Sequence, residues 1–387
     1  MSLPPLKILL AFGTRPEAVK LAPIIVRLGA NPAAFNLCLV TTAQHREMLD
    51  QVLQVFDLHP DYDLNLMQPN QTLPDLTYRV LTHLTPVLQQ ERPDLLLVQG
   101  DTTTVLMASL AAFYEQIPVG HVEAGLRTDN RYDPFPEEMN RRLTTRLSSL
   151  HFAPTETARQ NLLAEGVPAD QIYVTGNPVI DALQSITRRG TGPLPPDLPP
   201  AALANHRLLL VTAHRRENWG EPLEAICRAL GELAGHYPDT VIVYAVHRNP
   251  LVRTTVHRLL DGRERVYLIQ PPNYVTFVEL MRRAYLILTD SGGLQEEAPA
   301  LGVPVLVLRR TTERPEGIAA GTAQLVGTET EAIVAAAGRL LEDKKAYQHM
   351  ARAVNPYGDG QAAERIEAAL LHYFGRCDQR PPDFVAG

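Results

Sequence analysis

The feature that most constrains this chain is a rhythm of short apolar runs that plays through twice. ILLAFG (8–13), FNLCLVTT (35–42), DLLLVQGD (94–101), PVGHVE (118–123), LHFAPT (150–155) and IYVTGN (172–177) alternate with helix-like stretches. Continuous runs rich in Val, Leu and Ile at strand length are what parallel strands covered on both faces require. GTGPLPPDLPPAAL (190–203), five of whose fourteen residues are proline, then breaks the pattern. Beyond it RLLLVTAH (207–214), TVIVYAVH (240–247), RVYLIQ (265–270), YLILTDS (285–291), PVLVLRR (304–310) and AQLVGT (323–328) restart the alternation. Two βα ladders predict an α/β protein of two Rossmann-like doubly wound domains facing each other across a cleft. The pattern assigns residues 1–180 to a first domain, completed by a C-terminal helix over 362–376, and residues 204–361 to a second, with 190–203 as the linker. No internal sequence repeat accompanies the similarity of the halves.

A length of 387 residues suits two such domains and excludes a small stapled scaffold. Cys38, Cys227 and Cys377 include no CxxC pair, so neither a disulfide framework nor a zinc knuckle is expected and a reducing cytoplasm fits. The single apolar stretch near the N-terminus is too short for a signal or membrane segment. With Asp+Glu 43 against Lys+Arg 36 and no basic domain, nucleic acid is not the expected partner. Only four basic residues are lysine, namely Lys7, Lys20, Lys344 and Lys345, so a lysine inside a motif gains weight as a compact point charge.

In doubly wound sheets ligands bind outside the carboxyl ends of the strands, and polar motifs concentrate there in this chain. In GTRPEAVK (13–20), Thr14 and Glu17 have capping-box spacing and Pro16 suits a first turn. Arg15 at such a helix start joins a fork-shaped cation to the positive end of the helix dipole, which favours a phosphate, and Lys20 adds a charge about a turn later. In LTDSGGLQEEAPALG (288–302), Ser291, Gly292 and Gly293 let a diphosphate approach backbone N–H groups. Glu296 and Glu297 are expected in the first turn there, one favouring the helix dipole and the other accepting from a ribose diol. Arg314 in TTERPEG is a second candidate diphosphate cation.

Carboxylates mark the first half: Asp101 in QGDTTT, Glu123 in HVEAGLRT, and Glu137 and Glu138 in FPEEMNRRLTT. Each has a plain structural alternative, Asp101 as a helix cap and the glutamates as partners of Arg127 or Arg141. Together, opposite a diphosphate site, they point to acid–base chemistry. His214, in TAHRRENWG, is read as a phosphate contact, and Trp219 of the same motif as packing. The chain lacks GxxxxGK[ST], which disfavours a P-loop enzyme, and lacks GxGxxG after the first strand, which disfavours a nicotinamide dehydrogenase. The Asp61-Tyr62-Asp63 triplet is discounted as chance, His247 lacks metal-ligand spacing, and the arginine pairs 188/189 and 282/283 look like solvated faces. Neither a metal site nor a cofactor is expected.

GTRPEA, QGDTTT, HVEAGLRT, FPEEMNRRLTT, TGNPVIDAL, TAHRRENWG, TDSGGLQEEAPALGVP, TTERPEG and NPYGDGQAAERI occur in that order between residue 7 and about 374. This series resembles the bacterial non-hydrolysing UDP-N-acetylglucosamine 2-epimerase family. The resemblance implies a GT-B type fold, a homodimer, no membrane partner, and reversible conversion of UDP-GlcNAc into UDP-ManNAc. The route it implies is anti elimination of UDP to 2-acetamidoglucal followed by syn readdition. By match to the family motifs, Asp101, Glu123 and Glu137 would be acid–base and sugar-contacting carboxylates, with His214 at the sugar–phosphate junction. Arg15, Lys20, Ser291, Gly292, Gly293, Glu297 and Arg314 would hold UDP, and Phe277 would line the uracil pocket. Which carboxylate removes the proton stays open at this level.

The family's allosterically activated members bind a second UDP-GlcNAc beside the active site. Gln44, Arg215 and His247 of that site remain here, but Glu47 stands where those members carry a second glutamine, and an arginine is missing near Asn70. An added anion and a lost cation both weaken a diphosphate site, so activation is expected to be weak or absent. The competing readings are a hydrolysing relative releasing ManNAc and UDP, a glycosyltransferase on the same architecture, and a catalytically silent UDP-sugar sensor. The intact carboxylate set disfavours the sensor.

Overall fold

The computed structural model describes residues 3–42, 46–68, 71–128 and 130–386. The chain divides into two units, Met1–Ser185 with Tyr357–Ala386, and Ile186–Pro356. No helix among the described residues is long and apolar enough to cross a membrane.

The first unit is built on seven parallel strands: β1 (Leu6–Phe12), β2 (Phe35–Thr41), β3 (Tyr62–Asp63), β4 (Leu95–Gln99), β5 (Val119–Val122), β6 (Leu150–Ala153) and β7 (Ile172–Val174). Their order across the sheet is β3-β2-β1-β4-β5-β6-β7. Strand order reverses between β1 and β4, and this is where a doubly wound sheet opens a crevice at its carboxyl edge. The interior strands are buried on both faces, as their unbroken apolar runs require. β3 escapes the sequence pattern because it contributes only two residues, Tyr62 and Asp63.

The second unit repeats the plan with β8 (Arg207–Thr212), β9 (Thr240–Ala245), β10 (Val266–Ile269), β11 (Ala284–Thr289), β12 (Val305–Val307) and β13 (Ala323–Leu325). Their order is β10-β9-β8-β11-β12-β13, again all parallel, with the reversal between β8 and β11. Every apolar run named above forms a strand, and the α/β, Rossmann-like class read from them is the observed one.

The last helix, Ala362–Tyr373, packs on Arg15–Gly29 of the first unit, where Glu367 accepts from Arg27 and, at 3.0 Å, from Asn31. Asp181 holds its N-terminus, accepting from the amides of Ala363 at 2.9 Å and Ala362 at 3.2 Å. The tail then runs beside edge strand β7, with Phe384 N donating to Val174 O at 2.7 Å, and so covers hydrogen-bonding groups an edge strand leaves open. In the second unit Gly192 N donates to Glu279 at 3.2 Å. Glu279 is buried and also takes Arg282 at 3.0 Å and Arg283 at 2.5 Å, so this arginine pair serves an internal carboxylate and is not merely a solvated face. Arg188 and Arg189 are exposed.

Candidate active site

In the first unit the candidate residues gather at the carboxyl ends of β1, β4 and β5. Thr14 and Glu17 form the expected capping box, which starts the helix at Arg15. One oxygen of Glu17 accepts from Gly13 N at 2.9 Å and Thr14 N at 2.6 Å, and the other from Thr102 Oγ1 at 2.6 Å. This carboxylate therefore ties the loop after β1 to the loop after β4. Burial pushes its pKa up, against the pull of those hydrogen bonds. Gly13 is required by close approach: a Cβ there would lie 2.1 Å from Thr42 Oγ1.

Glu123 follows β5 with φ 65, a left-handed conformation uncommon for a side-chain-bearing residue. Its buried carboxylate accepts from Lys20 Nζ at 2.5 Å, from Asn177 Nδ2 at 3.0 Å and from Gln99 Nε2. All three partners are donors and one is cationic, so the carboxylate serves as the acceptor at the centre of this group. Lys20, expected among the UDP cations, thus places its ammonium on Glu123.

Asp101 is not the helix cap. Thr102 caps Thr103–Tyr114, and the Asp101 carboxylate pairs with Arg141 Nη2 at 2.9 Å. Asn140 Nδ2 donates to Asp101 O at 2.9 Å. Arg141 and Asn140 belong to the helix Glu137–Leu147, so the helix that begins at Glu137 is fastened to Asp101. The neighbouring Glu138 is fully buried, taking Thr128 N at 3.0 Å and Arg142 Nε at 2.6 Å. Arg127 pairs with Glu165 at 2.7 Å, leaving Glu123 to Lys20.

In the second unit the corresponding corner lies at the ends of β8, β11 and β12. The helix Gly292–Ala300 starts at the first glycine of the pair, so Glu296 and Glu297 fall beyond its first turn, not within it. Glu296 has a stronger role than the expected dipole interaction: it is fully buried and takes Arg314 Nε at 2.6 Å. The Arg314 guanidinium also donates to Glu313 at 2.5 Å and lies against the Cα of Gly292, where a Cβ would meet Nη1 at 2.4 Å. Burial pushes the Glu313 carboxyl up, but Arg314, Arg309 and Arg215 more than offset it and hold the group well below the usual carboxylate range. Glu297 accepts from Tyr274 Oη at 2.8 Å, which fastens the helix Tyr274–Arg283, carrying half-buried Phe277, to this corner. Ser291 is the residue before the helix and is half-buried.

His214 lies in the loop after β8, with its ring stacked on His247 at 5.0 Å between centroids. Trp219 packs against the core and donates to His214 O at 3.0 Å, the packing role expected of it. Arg215 Nη2 stands 3.8 Å from Glu313. Gln44 and Asn70 lie outside the described residues; Glu47 falls in the helix Arg46–Phe56. Asp61 accepts from Leu39 N at 2.8 Å, 22 positions away, and Asp63 from Asn65 N at 3.1 Å, so both carboxylates bond backbone amides.

Two residues were not singled out by sequence reasoning. Asp290 is fully buried and accepts from the amides of His214 and Arg215 at 2.7 and 2.8 Å. His121, two residues before Glu123, bonds the Gly100 carbonyl at 2.7 Å through Nε2. Burial depresses its pKa to about 3, so the ring is neutral and a fixed donor to the Asp101 loop. Both lie inside the quoted motifs, but nothing in a linear string says that a side chain reaches across to hold the loop after a neighbouring strand.

A family model described as UDP-N-acetylglucosamine 2-epimerase matches residues 28–371. The UDP-N-acetylglucosamine 2-epimerase of Salmonella typhimurium is 55% identical over 373 residues, covering 95% of this chain and 99% of that protein. The crystal structure of UDP-GlcNAc 2-epimerase from Neisseria meningitidis, bound to UDP-GlcNAc, superposes with a TM-score of 0.88 at 49% identity over 95% of this chain and all (100%) of that one. S. aureus MnaA, solved with UDP, gives a TM-score of 0.92 at 44% identity, covering 98% of this chain and 100% of its own. With sequence and fold agreeing over nearly their whole length, this chain belongs to the UDP-N-acetylglucosamine 2-epimerase family.

Proposed function

We propose that the chain is a non-hydrolysing epimerase that interconverts UDP-GlcNAc and UDP-ManNAc at carbon 2, supplying ManNAc units for cell-surface polysaccharide. The observation that carries this reading is the grouping of acidic side chains in the first unit. Glu123 and Asp101 end adjacent strands, and the helix beginning at Glu137 is hydrogen-bonded to the Asp101 loop through Asn140 and Arg141. Carbon 2 of the sugar has no neighbouring carbonyl, so its proton cannot leave through a simple enolate. Anti elimination of UDP to 2-acetamidoglucal, then syn readdition with a proton delivered to the opposite face, meets that constraint and needs positioned acid–base groups.

In this scheme Asp101, Glu123 and Glu137 handle the proton and the sugar, Lys20 pairs with Glu123, and His214 acts where sugar meets phosphate. Arg15, Arg314 and the N–H groups at Ser291, Gly292 and Gly293 hold UDP, Glu297 takes the ribose, and Phe277 lines the uracil pocket. The enzyme works as a cytoplasmic homodimer. UDP-GlcNAc activates it weakly or not at all, so conversion of pure UDP-ManNAc proceeds without added UDP-GlcNAc.

Proton NMR of UDP-GlcNAc with the enzyme in deuterated water tests the reaction. UDP-ManNAc with deuterium at carbon 2 is expected. Accumulation of free ManNAc would make the chain a hydrolysing enzyme, and an unchanged spectrum would leave a transferase or a sensor.

A further inference from the structure

Behind His214 lies a carboxylate with one side fully used and the other turned to the imidazole. Asp290, the last residue before Ser291, is wholly buried. Its Oδ2 accepts three N–H groups, from His214 N at 2.7 Å, Arg215 N at 2.8 Å and Asn218 Nδ2 at 3.0 Å. Its Oδ1 is buried and has no hydrogen-bond donor among the described residues, yet His214 Nδ1 lies 3.5 Å away. A buried carboxylate oxygen without a donor is costly, and Nδ1 is the donor the geometry offers. The separation is longer than a formed hydrogen bond, but such contacts are often long without substrate and tighten when it binds. Other contacts restrict the ring's escape, since His247 stacks on its face and Trp219 Nε1 holds its carbonyl at 3.0 Å.

We infer that Asp290 is the positioning residue of His214: it holds the Nδ1–H tautomer and so presents an unprotonated Nε2, able to accept a proton, at the sugar–phosphate junction. A buried carboxylate behind a histidine selects the tautomer because a carboxylate only accepts. This inference rests on the role proposed for His214, but its principal test does not require turnover.

The Asp290→Asn variant separates anchoring from tautomer control. The asparagine carbonyl can take the place of Oδ2 and keep all three N–H donors, which leaves its NH₂ facing His214 Nδ1. That group forces Nδ1 to accept and moves the proton to Nε2. In ¹⁵N-histidine-labelled enzyme at pH 8, wild-type His214, assigned by comparison with His214→Asn, is expected to show a pyrrole-like Nδ1 and a pyridine-like Nε2. Asp290→Asn is expected to exchange the two signals, with turnover lower on the order of 100-fold and UDP affinity within about threefold of wild type. Adding His214→Asn to Asp290→Asn should cost little further rate. A pyridine-like Nδ1 in the wild type would overturn the inference even if the variant failed to fold, and so would a folded Asp290→Asn enzyme with unchanged tautomer and rate. An unchanged carbon 2 with the expected wild-type tautomer would instead overturn only the proposed reaction.

Discussion

The ammonium of Lys20 rests 2.5 Å from Oε1 of Glu123, with the two side chains only 9% and 6% exposed. A cation so placed serves the carboxylate before it serves any phosphate. Lys20→Met leaves the Glu123 carboxylate buried without its counter-ion and is expected to lower stability by about 3 kcal/mol or more, since breaking one side of a buried pair costs that much. Turnover should collapse while calorimetric UDP affinity stays within a few-fold. The double variant Lys20→Met/Glu123→Gln should regain part of the stability, because no buried charge is left. Loss of UDP affinity with normal stability would return Lys20 to the phosphate.

Adjacent glutamates should separate cleanly. Glu138 is fully buried between Thr128 N and Arg142, so Glu138→Gln is expected to lose about 1–3 kcal/mol in urea denaturation through weakened charge-assisted bonds. Glu137→Gln should stay within about 0.5 kcal/mol of wild type and lower turnover on the order of 100-fold. The reverse pattern would exchange their roles.

Gly292→Ala sets helix propensity against a close approach. Glycine to alanine stabilises by about 1 kcal/mol in a helix interior and by less at a first helical residue such as Gly292. Here the new Cβ would meet Arg314 Nη1 at 2.4 Å and Cζ at 2.7 Å, so the guanidinium must move. A folded variant whose UDP affinity falls tenfold or more is expected by isothermal titration, and unchanged affinity would remove Arg314 from the UDP contacts.

Asp181 gives a pH signature. Burial raises its pKa from 3.8 to about 6, in spite of the Ala363 and Ala362 amides that it accepts. The folded state then binds more protons than the unfolded one between these values, so this group's contribution is present below about 4 and is lost as pH rises through about 6. The interval corresponds to about 3 kcal/mol as an order of magnitude. Denaturation midpoints from pH 4 to 7 should show wild type losing stability relative to Asp181→Asn as pH rises, and parallel curves would refute the assignment.

Much of this protein follows from the order of residues alone. Unbroken apolar runs dictate buried parallel strands, because an alternating pattern would leave one face to water; that suffices for both sheets except the two-residue β3. The capping box at Thr14 and the glycines at the start of Gly292–Ala300 are equally local, since backbone geometry within a few residues decides them. The motifs also place the candidate residues at the carboxyl edge of each sheet, because parallel sheets present the loops after their strands at one edge.

Partnership is what the tertiary structure alone decides. Lys20 and Glu123 are 103 positions apart, Asp290 and His214 are 76, and both pairs meet because strand order reverses between β1 and β4 and between β8 and β11. A string of residues specifies which charges exist; burial and direction determine which of them must neutralise one another. Glu137 and Glu138 are identical in sequence terms, and only the helix that turns Glu138 into the interior against Arg142 and Thr128 distinguishes them.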